Sequence, residues 1–352
     1  MPVTFQSRHI SEVTGLKNLW VSFSGYWPER GAFLTTGSFK ELEAFCVLGR
    51  LPTGNNKVLT VASAGNTAAA FASACSRNGI PALIVIPEFA LSKMRFPFSL
   101  ASCVKVIAVA SGDYMDAIRV AQAITRHEKF YPEGGVRNVA RRDGLGVVLL
   151  NIYETIGKLP DYYFQAIGSG TGAIAVWETA KKLSNMKSRV PHLYLSQNHP
   201  FDPIYRSWHS DSRQWLGIDD AQARQATSEI HARVLANSRP PYAIRGGLRE
   251  ALAESEGTVF STTNEQAQEA AALFEEREGI DIDPAAAVAF ASLLSASKAG
   301  LIPAQAMVAL NITGGGARRL ASDFSLIGHE PDRLVQADAM EVEIDDIAGM
   351  YP

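Results

Sequence analysis

The chain has 352 residues, of which 47% are hydrophobic and 20% charged, and a formal net charge of −3. That composition fits a soluble globular protein with a sizeable core, and its slight acidity gives no electrostatic reason to expect nucleic acid or a membrane surface as partner. Three cysteines, Cys46, Cys75 and Cys103, stand far apart and form no CxxC pair, which argues against a structural zinc site or a disulfide framework and suits a reducing cytosol.

The first residues, Met1-Pro2-Val3-Thr4-Phe5-Gln6, lack the basic and apolar regions of a signal peptide. No apolar run is long and uninterrupted enough to span a bilayer. Thr36-Gly37-Ser38-Phe39-Lys40 places a lysine in a small, tight turn just ahead of an amphipathic run over 41–48. Apolar residues 58–62 predict a buried strand, followed by the turn Ser63-Ala64-Gly65-Asn66-Thr67 and an Ala-rich helix over 67–77. Further strands are predicted over 81–87 and 105–109, with a helix over 114–126. The rhythm restarts with a strand over 162–167, the loop Gly168-Ser169-Gly170-Thr171-Gly172, a helix over 173–183 and a strand over 193–196. A polar stretch over 202–242 is followed by helices over 264–277 and 285–297, the second opened by Asp283-Pro284. A late strand over 307–312 runs into Thr313-Gly314-Gly315-Gly316, and the acidic segment after about 328 is weakly patterned, a tail or small cap. This strand–helix alternation predicts an α/β fold with parallel sheets, whose ligands bind at the carboxyl ends of strands. The expected division is discontinuous, with a larger domain of 1–42 and 146–352 and a smaller mobile βαβ domain of 43–145.

Three of these segments carry chemistry. An amine that forms a Schiff base must be desolvated to lower its pKa, and the small and apolar neighbours of Lys40 supply that setting. Alternating glycines at 168, 170 and 172, between a strand and a helix, offer backbone N–H groups and a helix dipole to an anion. The same loop satisfies a weak dinucleotide pattern, but the next strand ends in Ser196-Gln197-Asn198, without the acid a ribose requires. A single phosphate fits better. The 63–67 turn is rich in donors and suits a carboxylate or a ring oxygen, although Asn66 or Thr67 would also serve as a helix cap.

Taken together in this order, with Asp283-Pro284-Ala285-Ala286-Ala287 and Ile312-Thr313-Gly314-Gly315-Gly316, the segments resemble the fold-type II pyridoxal-phosphate enzymes, the tryptophan-synthase-β-like family that includes threonine synthase. The resemblance covers about residues 20–320. It implies two three-layer αβα domains with parallel sheets, pyridoxal 5'-phosphate in the cleft between them, and a homodimer. Lys40 would carry the cofactor as a Schiff base, Asn66 would meet its ring oxygen, Gly168, Ser169, Gly170, Thr171 and Gly172 its phosphate, and Thr313 its pyridine nitrogen. Ser63, Ala64, Gly65 and Thr67 would hold the substrate carboxylate. A hydroxyl at the pyridine nitrogen, in place of a carboxylate, suits elimination and replacement over transamination. Asn18-Leu19-Trp20, the run 25–31, and Glu41-Leu42-Glu43 where threonine synthases have Asp-Arg bring the chain nearest to the cysteate synthase branch. The activity implied is β-replacement on O-phospho-L-serine by sulfite, with Lys40 as general base. Threonine synthesis from O-phospho-L-homoserine, another β-replacement or elimination on a serine derivative, and a cofactor-binding protein without turnover are the rival readings. The two further anions call for cations; Lys93, Arg95, Arg137, Arg141, Arg142 and Arg245 are candidates, with Arg95 preferred. No metal is expected.

Overall fold

The computed structural model describes residues 1–184, 190–337 and 344–351. The chain divides into two compact units, Met1–Phe39 with Leu145–Ser322, and Lys40–Gly144 with Asp323–Pro352.

The first unit is built on a six-stranded sheet in the order Val3–Gln6, Asn18–Phe23, Met307–Ile312, Tyr162–Ala166, His192–Asn198, Thr258–Thr262. Only the first pair is antiparallel. Helix Pro284–Lys298 packs across the middle strands, and its buried run Ala285-Ala286-Ala287 lets the backbone come close to the sheet. Its Phe290 joins Phe164, Val308 and Leu310 of the sheet and Phe274 of the helix Asn264–Glu278 in one core. Fully burying a side chain of this size contributes about 1.5–3 kcal/mol.

The second unit has a five-stranded parallel sheet, Arg333–Gln336, Val104–Ala110, Ala82–Pro87, Val58–Ala62, Phe130–Pro132. Ala82–Pro87 is buried along its whole length, as a parallel strand covered on both faces must be. Helix Asn66–Asn78 lies on one face, and helix Tyr114–Ile124, started by the reciprocal cap of Asp113 and Asp116, lies on the other.

The expected division needs correcting at the C-terminus. The segment from Asp323, assigned from sequence to the larger domain and read after about 328 as a tail or small cap, belongs to the second unit. Arg333–Gln336 forms the edge of the sheet, pairing parallel with Val104–Ala110, and Val335 and Tyr351 are buried in that unit's core. Asp332 fixes the register by accepting from the Val106 N–H at 2.8 Å. The boundary near 42 also moves back to Phe39, so that Lys40 opens the second unit. Helix Val139–Ile156, strand pair Val3–Gln6 with Asn18–Phe23, and strand Thr258–Thr262 add to the elements expected from the sequence.

Candidate active site

In the first unit the turn ahead of Lys40 is tied to the glycine run. Phe39 N–H donates to the Thr313 carbonyl at 2.9 Å, and Gly315 N–H donates to the Gly37 carbonyl at 3.0 Å. Gly314 accepts from Asp283 N–H at 2.9 Å, and Gly316 N–H donates to the Asp281 carbonyl at 2.8 Å. The glycines are required here by close approach. A Cβ on Gly314 would meet the Asp283 carboxylate at 2.7 Å, and one on Gly316 the Tyr26 carbonyl at 1.8 Å. Gly316 also sits at φ +76°. Gly316→Ala is therefore expected to cost about 3 kcal/mol or more, combining backbone strain with displacement of Tyr26. Chemical denaturation would detect it, and a wild-type midpoint would show that the loop yields freely. Thr313, at the carboxyl end of strand Met307–Ile312, is buried.

The 168–172 loop links strand Tyr162–Ala166 to helix Thr171–Leu183. Gly170 is the N-cap, at φ +78°, and no side chain caps the helix. The first N–H groups of an α-helix have no intrahelical acceptor, so this end keeps donors for an anion. Ser169 and Thr171 hydroxyls lie 2.7 Å apart beside it. The glycines serve packing as well, since a Cβ on Gly172 would meet the Gln165 amide at 2.5 Å. The donor set fits a phosphate monoester.

The remaining sequence candidates lie in the second unit. Helix Asn66–Asn78 begins after Gly65, at φ +149°, again without a side-chain cap. Gly65 N–H donates to the Ser63 hydroxyl at 3.1 Å, which shapes the 63–67 turn. Ser63, Gly65 and Thr67 are buried, and Ala64 and Asn66 half-buried.

Lys40 is the first residue of helix Lys40–Leu48. Its Nζ lies 3.2 Å from Glu43 Oε2, one turn on, and its side chain is 21% exposed. Burial pushes the lysine pKa down; the Glu43 carboxylate opposes that without cancelling it, and Arg141 adds to the lowering. Glu43 has a side chain with 0% exposure. Both its oxygens are bonded: Arg141 Nη2 (2.9 Å) and the Thr67 hydroxyl (2.8 Å) donate to Oε1, Arg141 Nε (3.0 Å) and Lys40 to Oε2. Burial alone would raise the Glu43 pKa, but Arg141 and Lys40 outweigh it and hold the carboxyl below the usual carboxylate range. Arg141 Nη1 donates to Glu133 Oε2 at 2.8 Å and Nη2 to the Thr67 hydroxyl at 3.1 Å. Burial pushes Glu133 up despite Arg141. Tyr114, facing the same cluster, is also raised by burial.

Among the cations named from sequence, Arg141 is the one drawn into this network, with a side chain 13% exposed. Arg95 is exposed and lies in the two-residue strand that pairs with Ile327–Gly328. Lys93, Arg137 and Arg245 are exposed, and Arg142 is spent on the Val136 carbonyl. Glu133 and Tyr114 are not singled out by the sequence, and Glu43 figures there only within Glu41-Leu42-Glu43, with no role in the site. The signal for its contact with the amine is the i,i+3 spacing from Lys40, which on most helices marks a solvated pair.

Residues 24–314 match the family described as pyridoxal-phosphate dependent enzyme. The chain belongs to that family. A cysteate synthase of Methanosarcina mazei is 44% identical over 351 residues, covering 98% of this chain and 84% of the relative. A cysteate synthase of Methanocorpusculum labreanum is 47% identical over 327 residues, covering 92% and 79%. Among solved structures, the serine racemase of Dictyostelium discoideum superposes with a TM-score of 0.61 at 19% identity, covering 90% of this chain and 92% of that one. The last likeness speaks to the fold, which is that of the fold-type II enzymes. Pyridoxal 5'-phosphate is accordingly the cofactor; in the first unit the uncapped helix end at 168–172 has the donors for a phosphate, and in the second the desolvated Lys40 has the amine for an aldehyde. Among the described residues no helix is long and apolar enough to cross a membrane.

Proposed function

We propose that this chain is a cysteate synthase that replaces the phosphate of O-phospho-L-serine with sulfite, giving L-cysteate and inorganic phosphate. The observation that carries this reading is Arg141, a cation largely shielded from water that touches Thr67 of the donor-rich turn and shares Glu43 with Lys40. A phosphorylated amino acid brings an anion beyond its carboxylate, and a guanidinium has five N–H donors, of which Arg141 gives four to Glu43, Thr67 and Glu133, so that one N–H and the positive charge remain for a phosphate. Arg141 takes the role first given to Arg95. The relatives named cysteate synthase support cysteate as the product.

In this reading Lys40, Asn66, the 168–172 loop and Thr313 hold the cofactor, which when bound acidifies the substrate α-carbon and lets the β-substituent leave. Lys40 Nζ takes the α-proton and later returns it. The amides of the 63–67 turn hold the substrate carboxylate, while the Thr67 hydroxyl stays with Glu43 and Arg141. Arg141 stabilises the departing phosphate dianion and then the incoming sulfite. A homodimer, a cytosolic setting and supply of cysteate to a sulfonate such as coenzyme M belong to the same proposal.

The test is to give the protein, loaded with pyridoxal phosphate, O-phospho-L-serine with and without sulfite, and to identify the product by mass. Cysteate formed only with sulfite is the expected result. Pyruvate without cysteate would keep phosphate departure and reject sulfite; turnover of O-phospho-L-homoserine alone would replace the reading with threonine synthesis.

A further inference from the structure

The function proposed above uses Lys40 and Arg141 and leaves Glu43 without a role. Neutralising Arg141 does not account for it, because Glu133 already contacts the guanidinium from the other side. The two carboxylates are treated differently. Glu133 Oε1 is buried with no hydrogen-bond partner among the described residues, whereas each Glu43 oxygen has two donors, from three helices. A carboxylate with all its partners in place stays ionised where its neighbour is pushed towards the neutral acid. One fixed negative charge is then shared by two cations. Arg141 takes the bidentate share, and Lys40 reaches one oxygen at 3.2 Å.

We propose that Glu43 is a positioning residue for Lys40: its carboxylate, anchored from behind by Arg141 and Thr67, fixes where the lysine amine sits and how readily it gives up its proton. The groups facing this pair are Arg141 from helix Val139–Ile156, Glu133 from the segment before Gly135–Arg137, Tyr114 at the start of helix Tyr114–Ile124 and the Thr67 hydroxyl. Glu43 is the carboxylate in direct contact with the amine. The inference rests on the reading of Lys40 as the cofactor lysine and base. The sign is set by charge. An adjacent carboxylate favours the ammonium, so removing it lowers the lysine pKa further and leaves more free amine near neutral pH.

The experiment measures Lys40 itself. Full-length protein freed of cofactor is labelled with acetic anhydride across a pH series, and acetylation at Lys40 is read by peptide mass spectrometry. Glu43→Gln keeps the size and removes the charge; Lys40 is expected to label about tenfold faster near neutral pH, the equivalent of one pKa unit. A Lys40 profile superimposed on wild type overturns the proposal, even if the variant melts earlier, since a merely structural role would move the melt alone. Glu43→Asp keeps the charge and withdraws it by one methylene, so its profile should fall between the two. It carries the test if the glutamine variant does not fold: a downward shift supports the role and a wild-type profile rejects it. In the holoenzyme the acid limb of kcat should move to lower pH by the same amount in Glu43→Gln, and an unmoved limb counts against the proposal. Adding pyridoxal phosphate before labelling separates the two ideas. If it fails to protect Lys40, the cofactor assignment falls while the comparison of titrations still stands.

Discussion

Lys40→Ala is expected to lower cysteate formation by about 10³-fold or more, because one substitution removes both the group that captures the cofactor aldehyde and the base at the α-carbon. The fold should survive. Glu43 loses one of its four donors but keeps Arg141 and Thr67, so no buried carboxylate is left without a partner. The variant should therefore melt near wild type, lack the visible absorbance of covalently held cofactor, and form no cysteate above background by mass. Full activity in Lys40→Ala would move the chemistry to another amine. A collapsed melt would mean that the alanine variant reports on folding and not on catalysis.

Arg141→Met should give the largest loss of stability of any single change in the second unit. It strips Glu43 of its two guanidinium bonds and Glu133 Oε2 of its cation, leaving two buried carboxyl groups without the charge that balances them, Glu133 with only the Gly135 N–H on that oxygen. Breaking a buried pair from one side costs about 3–5 kcal/mol. At about 3 °C per kcal/mol, that is about 10 °C in melting temperature. The companion variant tests the cause. Replacing the pair together, Glu43→Leu with Arg141→Met, should recover much of the loss, because apolar groups of similar volume need no partners. It should not recover turnover of O-phospho-L-serine, since the cation is gone. If the single variant melts like wild type, the network is open to water and its electrostatics are those of a surface cluster.

The order of strands and helices over 58–124 was legible because each strand is apolar on both faces and each is bounded by turn residues. The two glycine loops were legible for a related reason, since close backbone approach leaves glycine as the one residue that fits, as at Gly316 and Gly172. Helix Val139–Ile156 was not, because Gly144 and Gly146 interrupt it and its apolar residues do not keep to one face. Both glycines let it pack closely, Gly144 against the Leu42 carbonyl and Gly146 against Thr179. The final strand, Arg333–Gln336, is four residues long with one buried side chain, too little for an alternation to register. The site divides in the same way. Lys40 stands out by its neighbours, whereas Arg141 is picked from six candidate cations only when the fold brings it, 98 residues on, against Glu43. Local pattern reveals what a residue is next to in the chain; pairing over that distance belongs to the fold.

The strand Arg333–Gln336 also bears on how the protein is made. Its partner, Val104–Ala110, is translated early, and the Asp332 carboxylate that sets their register lies 226 residues downstream of the amide it binds. Until the ribosome has released that stretch, the strand presents an unpaired edge to everything around it. The second unit therefore closes its sheet only after residues 333–336 have been made, and the nascent chain carries an open β-edge over the whole interval between the two strands, the stage at which a chaperone would matter most.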